Sequence, residues 1–188
     1  MKLLACVIVA CVSAGGSLAA TTLVPADFAQ MARESELIVR GTVVRVDGQR
    51  TGARQTIESL ITLRVSDTIK GSAVEETVFR VPGGKVGPNR RVMVGAPQFS
   101  RGDEVILFLK GRAPAIAMPY GLSQGVYRVS RTAGTPVVTP AVVAGAGRVT
   151  RGDPTRRPLD PSAFTRQVQE ALTQSAPPDG RRAVPRPR

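Results

Sequence analysis

Residues 36–46 read ELIVRGTVVRV, and this stretch decides the fold that the rest of the chain is predicted to adopt. Before Gly41 the apolar face of the strand includes Val39, at an odd position. After Gly41 the apolar residues are Val44 and Val46, at even positions, as if the strand contained one extra residue. One added residue exchanges the two faces of a strand, and glycine tolerates the bend that results. The pattern therefore predicts a bulged strand in a small, curled β-sheet.

Alternating segments elsewhere predict the strands that complete this sheet. In residues 57–69 apolar side chains alternate with polar ones, which places Ile61 and Ile69 on the same buried face. Residues 105–109, VILFL, form an unbroken apolar run and predict a strand that is covered on both faces. Residues 137–143 are interrupted by a proline and predict an edge strand at most. Residues 47–55, which contain Gly48 and Gly52, predict a polar loop after the first strand, and shorter strands are predicted at residues 77–81, 92–94 and 126–129.

Helices are predicted before and after these strands. Residues 25–34, PADFAQMARE, predict a short leading helix that ends where the first strand begins. Asp160 as N-cap and Pro161 as first helical residue predict a second helix, which is amphipathic. The predicted fold class is mainly β, a small OB-like curled barrel with a short N-terminal helix and a C-terminal amphipathic helix. The predicted divisions are a signal peptide (1–19), a β-barrel domain with the leading helix and a basic loop (20–158), the C-terminal helix (159–175) and a disordered basic tail rich in Pro and Arg (176–188).

The N-terminus has the pattern of a secretory signal. Lys2 precedes an apolar run over residues 3–12, and small residues follow, which predicts cleavage after Ala19. Alternatively, Ala10 before Cys11 fits a lipoprotein signal that would leave a lipid-anchored Cys11. The expected localisation is export, to the periplasm or the medium. Cleavage after Ala19 would remove both cysteines of the chain, so no disulfide or thiolate metal site is expected.

The composition argues against several function classes. The chain carries 26 Lys and Arg against 14 Asp and Glu, a formal net charge of +12, and it contains no His and no Trp. Without His it lacks the usual general base and the commonest metal ligand. Lys70, Lys85 and Lys110 each lie beside a glycine, which favours solvated lysines over a Ser-Lys catalytic pair. We predict no catalytic residue, no metal, no cofactor, no enzymatic activity and, since no binding motif accompanies the charge, no sequence-specific nucleic-acid binding.

Five segments occur in a distinctive order: SELIVRGTVVRV, ITLRVSDTIKG, VPGGKVG, GAPQFSRGDEVILFL and YGLSQGVYRV. In this order they resemble a broad family of uncharacterised exported bacterial proteins with an OB-like barrel. The bent first strand and the second strand ending in Lys70-Gly71 are also similar to the opening of netrin-like and tissue metalloprotease-inhibitor domains. That resemblance implies a five-stranded OB-type barrel and suggests inhibition of a protease. The N-terminal cysteine of those inhibitors has no counterpart here, because the mature chain would begin at Ala20.

Two sets of residues are candidates for binding. The glycine-rich segment at residues 83–87 lacks the Ser or Thr and the helix of a phosphate loop, so we interpret it as a connection between strands. The candidate partner-binding loops contain Gly83, Gly84, Lys85, Gly87, Arg90, Arg91, Pro97, Gln98 and Phe99. The candidate contacts to an anionic surface are Arg148, Arg151, Arg156, Arg157, Arg181 and Arg182.

These sets of residues support two hypotheses about function. The first is an exported, non-enzymatic protein-binding module, in its sharpest form an inhibitor or accessory of an exported protease. The second is a structural protein of the envelope, which its Arg clusters would hold to an anionic polymer or lipid.

Overall fold

The computed structural model describes residues 26–111, 113–140 and 158–174, and this part of the chain is mainly β, as predicted. The helices are α1 (Phe28–Glu34) and α2 (Pro161–Thr173). The strands are β1 (Leu37–Thr51), β2 (Thr56–Lys70), β3 (Glu76–Pro82), β4 (Gly84–Val86), β5 (Asn89–Arg91), β6 (Glu104–Lys110), β7 (Met118–Pro119), β8 (Val126–Thr132) and β9 (Thr135–Pro140).

The strands form one large antiparallel sheet and one small hairpin. The order in the large sheet is β3-β2-β1-β6-β8-β9, with β7 paired to β6, while β4 and β5 pair only with each other. The sheet is not closed. One isolated bridge joins Phe79 of β3 to Ala117, and the Arg80 amide donates to the Ala117 carbonyl oxygen at 2.9 Å. The β3 edge of the sheet therefore approaches the segment before β7 without a continuous ladder.

Each face of the large sheet buries its own apolar cluster. The helix-side core contains Phe28, Met31, Ala32, Ile38, Ile106, Phe108, Tyr127, Val138, Phe164, Val168 and Ala171. The inner core contains Val39, Val43, Ile61, Leu63, Phe79, Val81, Val105, Leu107, Leu109 and Val126. Alternate residues of β6 enter the two cores, and residues 105–109 are fully buried. The prediction of a strand covered on both faces is confirmed.

The position of the bulge in β1 differs from the prediction. Val43 pairs with Leu63 and Arg45 pairs with Thr62, so the extra residue of β1 is Val44. The buried side beyond Gly41 therefore carries Val43, and the prediction that it carries Val44 and Val46 was wrong.

Gly41 is needed for close packing of β1 on β2. A Cβ on this residue would lie 2.3 Å from the Arg64 carbonyl oxygen. The neighbouring shift in register has its extra residue in β2, since Arg40 pairs with Asp67 whereas Gly41 pairs with Val65. That extra residue changes the face on which later side chains lie. Ile69 consequently packs against the helix-side core, not on the face of Ile61 as predicted.

The two helices cover the helix-side core, and the start of α2 matches the predicted capping. Asp160 accepts hydrogen bonds from the Ser162 and Ala163 amides at 3.0 and 2.9 Å, and Pro161 follows as the first helical residue. Asp27 caps α1 in the same way. Lys70 stabilises the other end of α1, where its Nζ donates to the Ala32 and Arg33 carbonyl oxygens at 2.9 and 2.6 Å.

β9 lies at the edge of the sheet, which confirms the edge-strand prediction for residues 137–140, whereas residues 141–143 lie outside the described residues. Its outer side is partly covered by Leu159. The Val138 amide donates to the Leu159 carbonyl oxygen at 2.7 Å, and the Leu159 amide donates to the Val138 carbonyl oxygen at 3.2 Å. Leu159 stands immediately before the N-cap of α2. The pairing therefore joins the entry to α2 to the sheet edge.

Glu34 at the end of α1 gathers donors from three elements of the fold. Its carboxylate accepts from Gln30 Nε2 at 2.7 Å, Tyr120 OH at 3.0 Å and Lys110 Nζ at 3.1 Å. These hydrogen bonds, that of Gln30 above all, lower the pKa of Glu34 from 4.5 to about 2. The carboxylate thus ties α1 to β6 and to the segment that follows β7.

We expect Glu34→Gln to destabilise the fold slightly and in a pH-dependent way. Because the folded-state pKa lies below the unfolded value, the carboxylate stabilises the protein above about pH 4.5, and this stabilisation is lost as the pH falls toward 2. The group is exposed, so the loss at neutral pH should be at most about 1 kcal/mol. Urea unfolding at pH 7 and pH 2.5 should show a clearly larger difference from wild type at pH 7 than at pH 2.5, where much of the stabilisation has been lost. Glu75→Gln is the control, because the Glu75 side chain makes no hydrogen bond to another described residue; a pH-independent difference for Glu34→Gln would contradict the prediction.

Candidate binding cleft

A short hairpin lies across the outer half of the β1–β2 ladder. Strands β4 and β5 form this hairpin, so the connection that we predicted at residues 83–87 contains β4 and the start of the hairpin turn. A Cβ on Gly48 would lie 1.9 Å from the Lys85 carbonyl oxygen, so the close approach of β4 to β1 requires glycine. On the neighbouring strand, Ser59 Oγ donates to the Gly83 carbonyl oxygen at 2.9 Å. The hairpin is thus held against both long strands.

The hairpin and the segment that follows it enclose a cleft of about 350 Å³. Residues 92–94 belong to that segment and form no strand, contrary to the prediction. The cleft is lined by Val46, Gly48, Ser59, Ile61, Val81, Pro82, Gly83, Gly84, Lys85, Arg90, Arg91, Val92, Met93, Ala96, Pro97, Gln98 and Phe99. Its buried lining residues include Ile61, Val81 and Pro97, so its interior is mainly apolar.

The rim of the cleft exposes apolar side chains to solvent. Val46 is 40% exposed, Met93 36% and Val92 65%. Single exposed apolar residues are common on protein surfaces, but a group of them beside an apolar cleft is typical of an interaction site.

The rim also carries three cations, Lys85, Arg90 and Arg91, and all three are exposed. None of them makes a side-chain hydrogen bond or ion pair with another described residue. No acidic residue belongs to the described lining of the cleft. Arginines elsewhere in the described chain do have partners, for example Arg40 with Glu104. The cleft is therefore a positively charged surface with uncompensated cations.

The far wall of the cleft is fixed by contacts that sequence reasoning missed. Phe99 packs its ring edge-on against Phe79, with centroids 5.2 Å apart, and the Arg128 guanidinium lies 5.9 Å from the Phe99 ring centroid. Arg128 donates to Asp103 at 2.7 Å and also to the Gln98 carbonyl oxygen. These contacts connect the segment at residues 98–103 to the large sheet.

The structure brings together most of the candidate partner-binding residues. All of them line the cleft except Gly87, which lies in the turn of the hairpin. The contributions of β1 and β2 were not predicted, because residues 47–55 have the composition of a polar loop. An isolated glycine in an extended segment signals close backbone approach, and this signal could have identified Gly48.

The other predicted sites lie outside the described residues. These are the signal peptide with Cys11, the basic loop with Arg148, Arg151, Arg156 and Arg157, and the tail with Arg181 and Arg182. Among the residues that are described, no group of three or more His, Cys, Asp or Glu is placed to hold a metal ion. Neither of the described helices is long and apolar enough to cross a membrane. No protein family, no curated protein and no solved structure matches the chain.

Proposed function

We propose that this chain is an exported, non-enzymatic protein-binding module and that the cleft is its binding surface. The observation that carries the proposal is the apolar cleft with exposed Val46, Val92 and Met93 on its rim. Burial of such side chains by a partner is favourable, because it removes apolar surface from water on both proteins.

The partner class that we propose is an exported protease, for which this chain would be an inhibitor or an accessory protein. Export rests on the signal pattern at residues 1–19, and the protease rests on the resemblance to inhibitor domains. An OB-like barrel belongs to the same proposal. The bridge between Phe79 and Ala117 supports it, because it brings β3 toward β7 across the open side of the sheet.

A Val92→Asp variant tests the cleft as the binding surface. The mature chain, residues 20–188, would be immobilised and exposed to an extract of exported and envelope proteins at 0.15 and at about 0.5 M salt, where charge contacts are screened. We expect wild type to retain a protein at both salt concentrations. Val92→Asp should weaken that retention at least about tenfold, since it replaces an apolar contact worth about 1.5–3 kcal/mol by a charge. Addition of the free chain should alter the activity of the retained protein if that protein is a protease.

Val74→Asp is the matched control, because Val74 is 70% exposed and lies outside the lining of the cleft. It should retain the partner as wild type does. Equal retention by wild type and Val92→Asp would refute the proposed surface. Retention that is unchanged in Val92→Asp but disappears at high salt, or on removal of residues 176–188, would favour the envelope-bound structural protein instead.

A further inference from the structure

We infer that the cleft recognises an acidic segment that carries a large apolar side chain; this inference rests on the proposed protein-binding function. The first reason is the absence of any compensating charge. Lys85, Arg90 and Arg91 surround the cleft without an acidic residue among its described lining residues. A partner that supplies carboxylates would complement this surface, and such complementarity increases both specificity and association rate.

The second reason is an unfavourable pair built into the hairpin. Lys85 and Arg90 are directly opposite each other in the β4–β5 ladder, so their side chains lie on the same face. Like charges in such a cross-strand pair destabilise a hairpin. A bound carboxylate between the two cations would remove this repulsion. Sites that are arranged unfavourably for the free protein are typical of positions kept for binding.

The third reason concerns the part of the ligand that enters the cleft. Its lining includes the apolar side chains of Ile61, Val81 and Phe99. A purely polar anion would make no apolar contact with them. The volume of about 350 Å³ lies at the lower end of the range of about 300–1,000 Å³ for small-molecule sites. The cleft therefore accommodates one or two apolar side chains of a segment, with the acidic residues on either side of them at the rim.

The occupant comes from another molecule because the segments of this chain outside the described residues lack acidic character, and residues 1–25 contain no acidic residue at all. Residues 141–157 contain four arginines and a single acidic residue, Asp153, and residues 175–188 contain four arginines and the single acidic residue Asp179. Either segment would bring further positive charge to Lys85, Arg90 and Arg91.

The test uses a fluorescein-labelled peptide of sequence Gly-Glu-Asp-Leu-Phe-Glu-Asp-Gly and the full mature chain. Fluorescence anisotropy should show binding that weakens about fivefold to tenfold in the double variant Lys85→Gln with Arg90→Gln, since two charge contacts are lost. Chemical unfolding should show the double variant to be at least as stable as wild type, because a like-charge pair has been removed. This second readout separates loss of recognition from loss of folding.

Arg54→Gln with Arg131→Gln is the charge-matched control, because both arginines are exposed and lie outside the cleft. It should bind the peptide as wild type does. A peptide with Ser-Ser in place of Leu-Phe should bind at least about fivefold more weakly, since one apolar side chain contributes roughly a factor of ten or more. Equal binding of the two peptides, equal weakening by the control, or no binding of either peptide would overturn the inference.

The outcomes separate this inference from the proposed function. If Val92-dependent capture of a protein persists while the acidic peptide does not bind, the protein-binding function stands and the acidic specificity is wrong. If the peptide binds through Lys85 and Arg90 while no protein is captured, the specificity of the cleft stands and its assignment to a protein partner is wrong.

Discussion

Replacement of Phe108 by alanine should lower the free energy of unfolding by about 4 kcal/mol, within the range of about 3–5 kcal/mol for truncation of a buried phenylalanine. Phe108 is fully buried in the centre of the helix-side core. Its ring lies 5.8 Å from that of Phe28 in α1, 5.5 Å from Tyr127 in β8 and 6.3 Å from Phe164 in α2. The substitution therefore removes ring contacts from the sheet to both helices and leaves, among the described residues, only those that Tyr127 makes to Phe28 and Phe164.

Urea or thermal unfolding measures this loss directly. Total stabilities of small domains are about 5–15 kcal/mol, so Phe108→Ala should leave the protein marginal or unfolded near 37 °C. Phe99→Ala is the matched control, because the same truncation there removes a ring that is only partly buried and lies outside the helix-side core. Equal losses for the two variants, or a loss below about 2 kcal/mol for Phe108→Ala, would contradict the prediction that burial of Phe108 in the helix-side core stabilises the fold to this extent.

The features of the fold that could be predicted from sequence are those that a local pattern determines. The unbroken apolar run at residues 105–109 has to be covered on both sides wherever it is placed, and it lies at the centre of the sheet. Asp160 followed by Pro161 satisfies free amides at a helix start without any tertiary contact. Such signals remain valid in any surrounding structure.

The features that were missed depend on partners distant in the sequence. Residues 47–51 read as a polar loop, but they continue β1 because their backbone pairs with residues 56–60 of β2. A ladder of backbone hydrogen bonds needs no apolar side chain, so this extension leaves no hydrophobic pattern. The three-residue strands β4 and β5 are too short to show a period of two.

The cleft was predicted in part for the same reason. The glycines and arginines of residues 83–91 and the turn signals near Pro97 predicted two of the segments that line the cleft. Its base comes from Ile61 and Val81, which read simply as core residues of strands. Which core residues line the cleft depends on where the hairpin lies and on the close approach at Gly48, and neither is encoded by a local pattern.

Gly48→Ala should open the cleft while leaving both apolar cores intact. The new Cβ would lie 1.9 Å from the carbonyl oxygen of Lys85 and 2.8 Å from its carbonyl carbon. Both are backbone atoms, so the hairpin of β4 and β5 has to move away from β1. Forced overpacking of this kind costs about 1–3 kcal/mol. Hydrogen exchange should show faster exchange of the amides that pair β4 with β5, with unchanged protection in β6.

Because the hairpin carries Lys85 and Arg90, its displacement should reduce binding of the acidic peptide more than tenfold and abolish capture of the protein partner. Gly52→Ala separates this effect from simple destabilisation. Gly52 has a φ of +66°, and a Cβ there would have no atom within 4 Å, so alanine costs about 1 kcal/mol of backbone strain without touching the hairpin. Gly48→Ala and Gly52→Ala should therefore have similar stability, but only Gly52→Ala should bind the acidic peptide as wild type does. Wild-type binding by Gly48→Ala would mean that the contact between β1 and β4 does not shape the binding surface, and that the partner is recognised elsewhere.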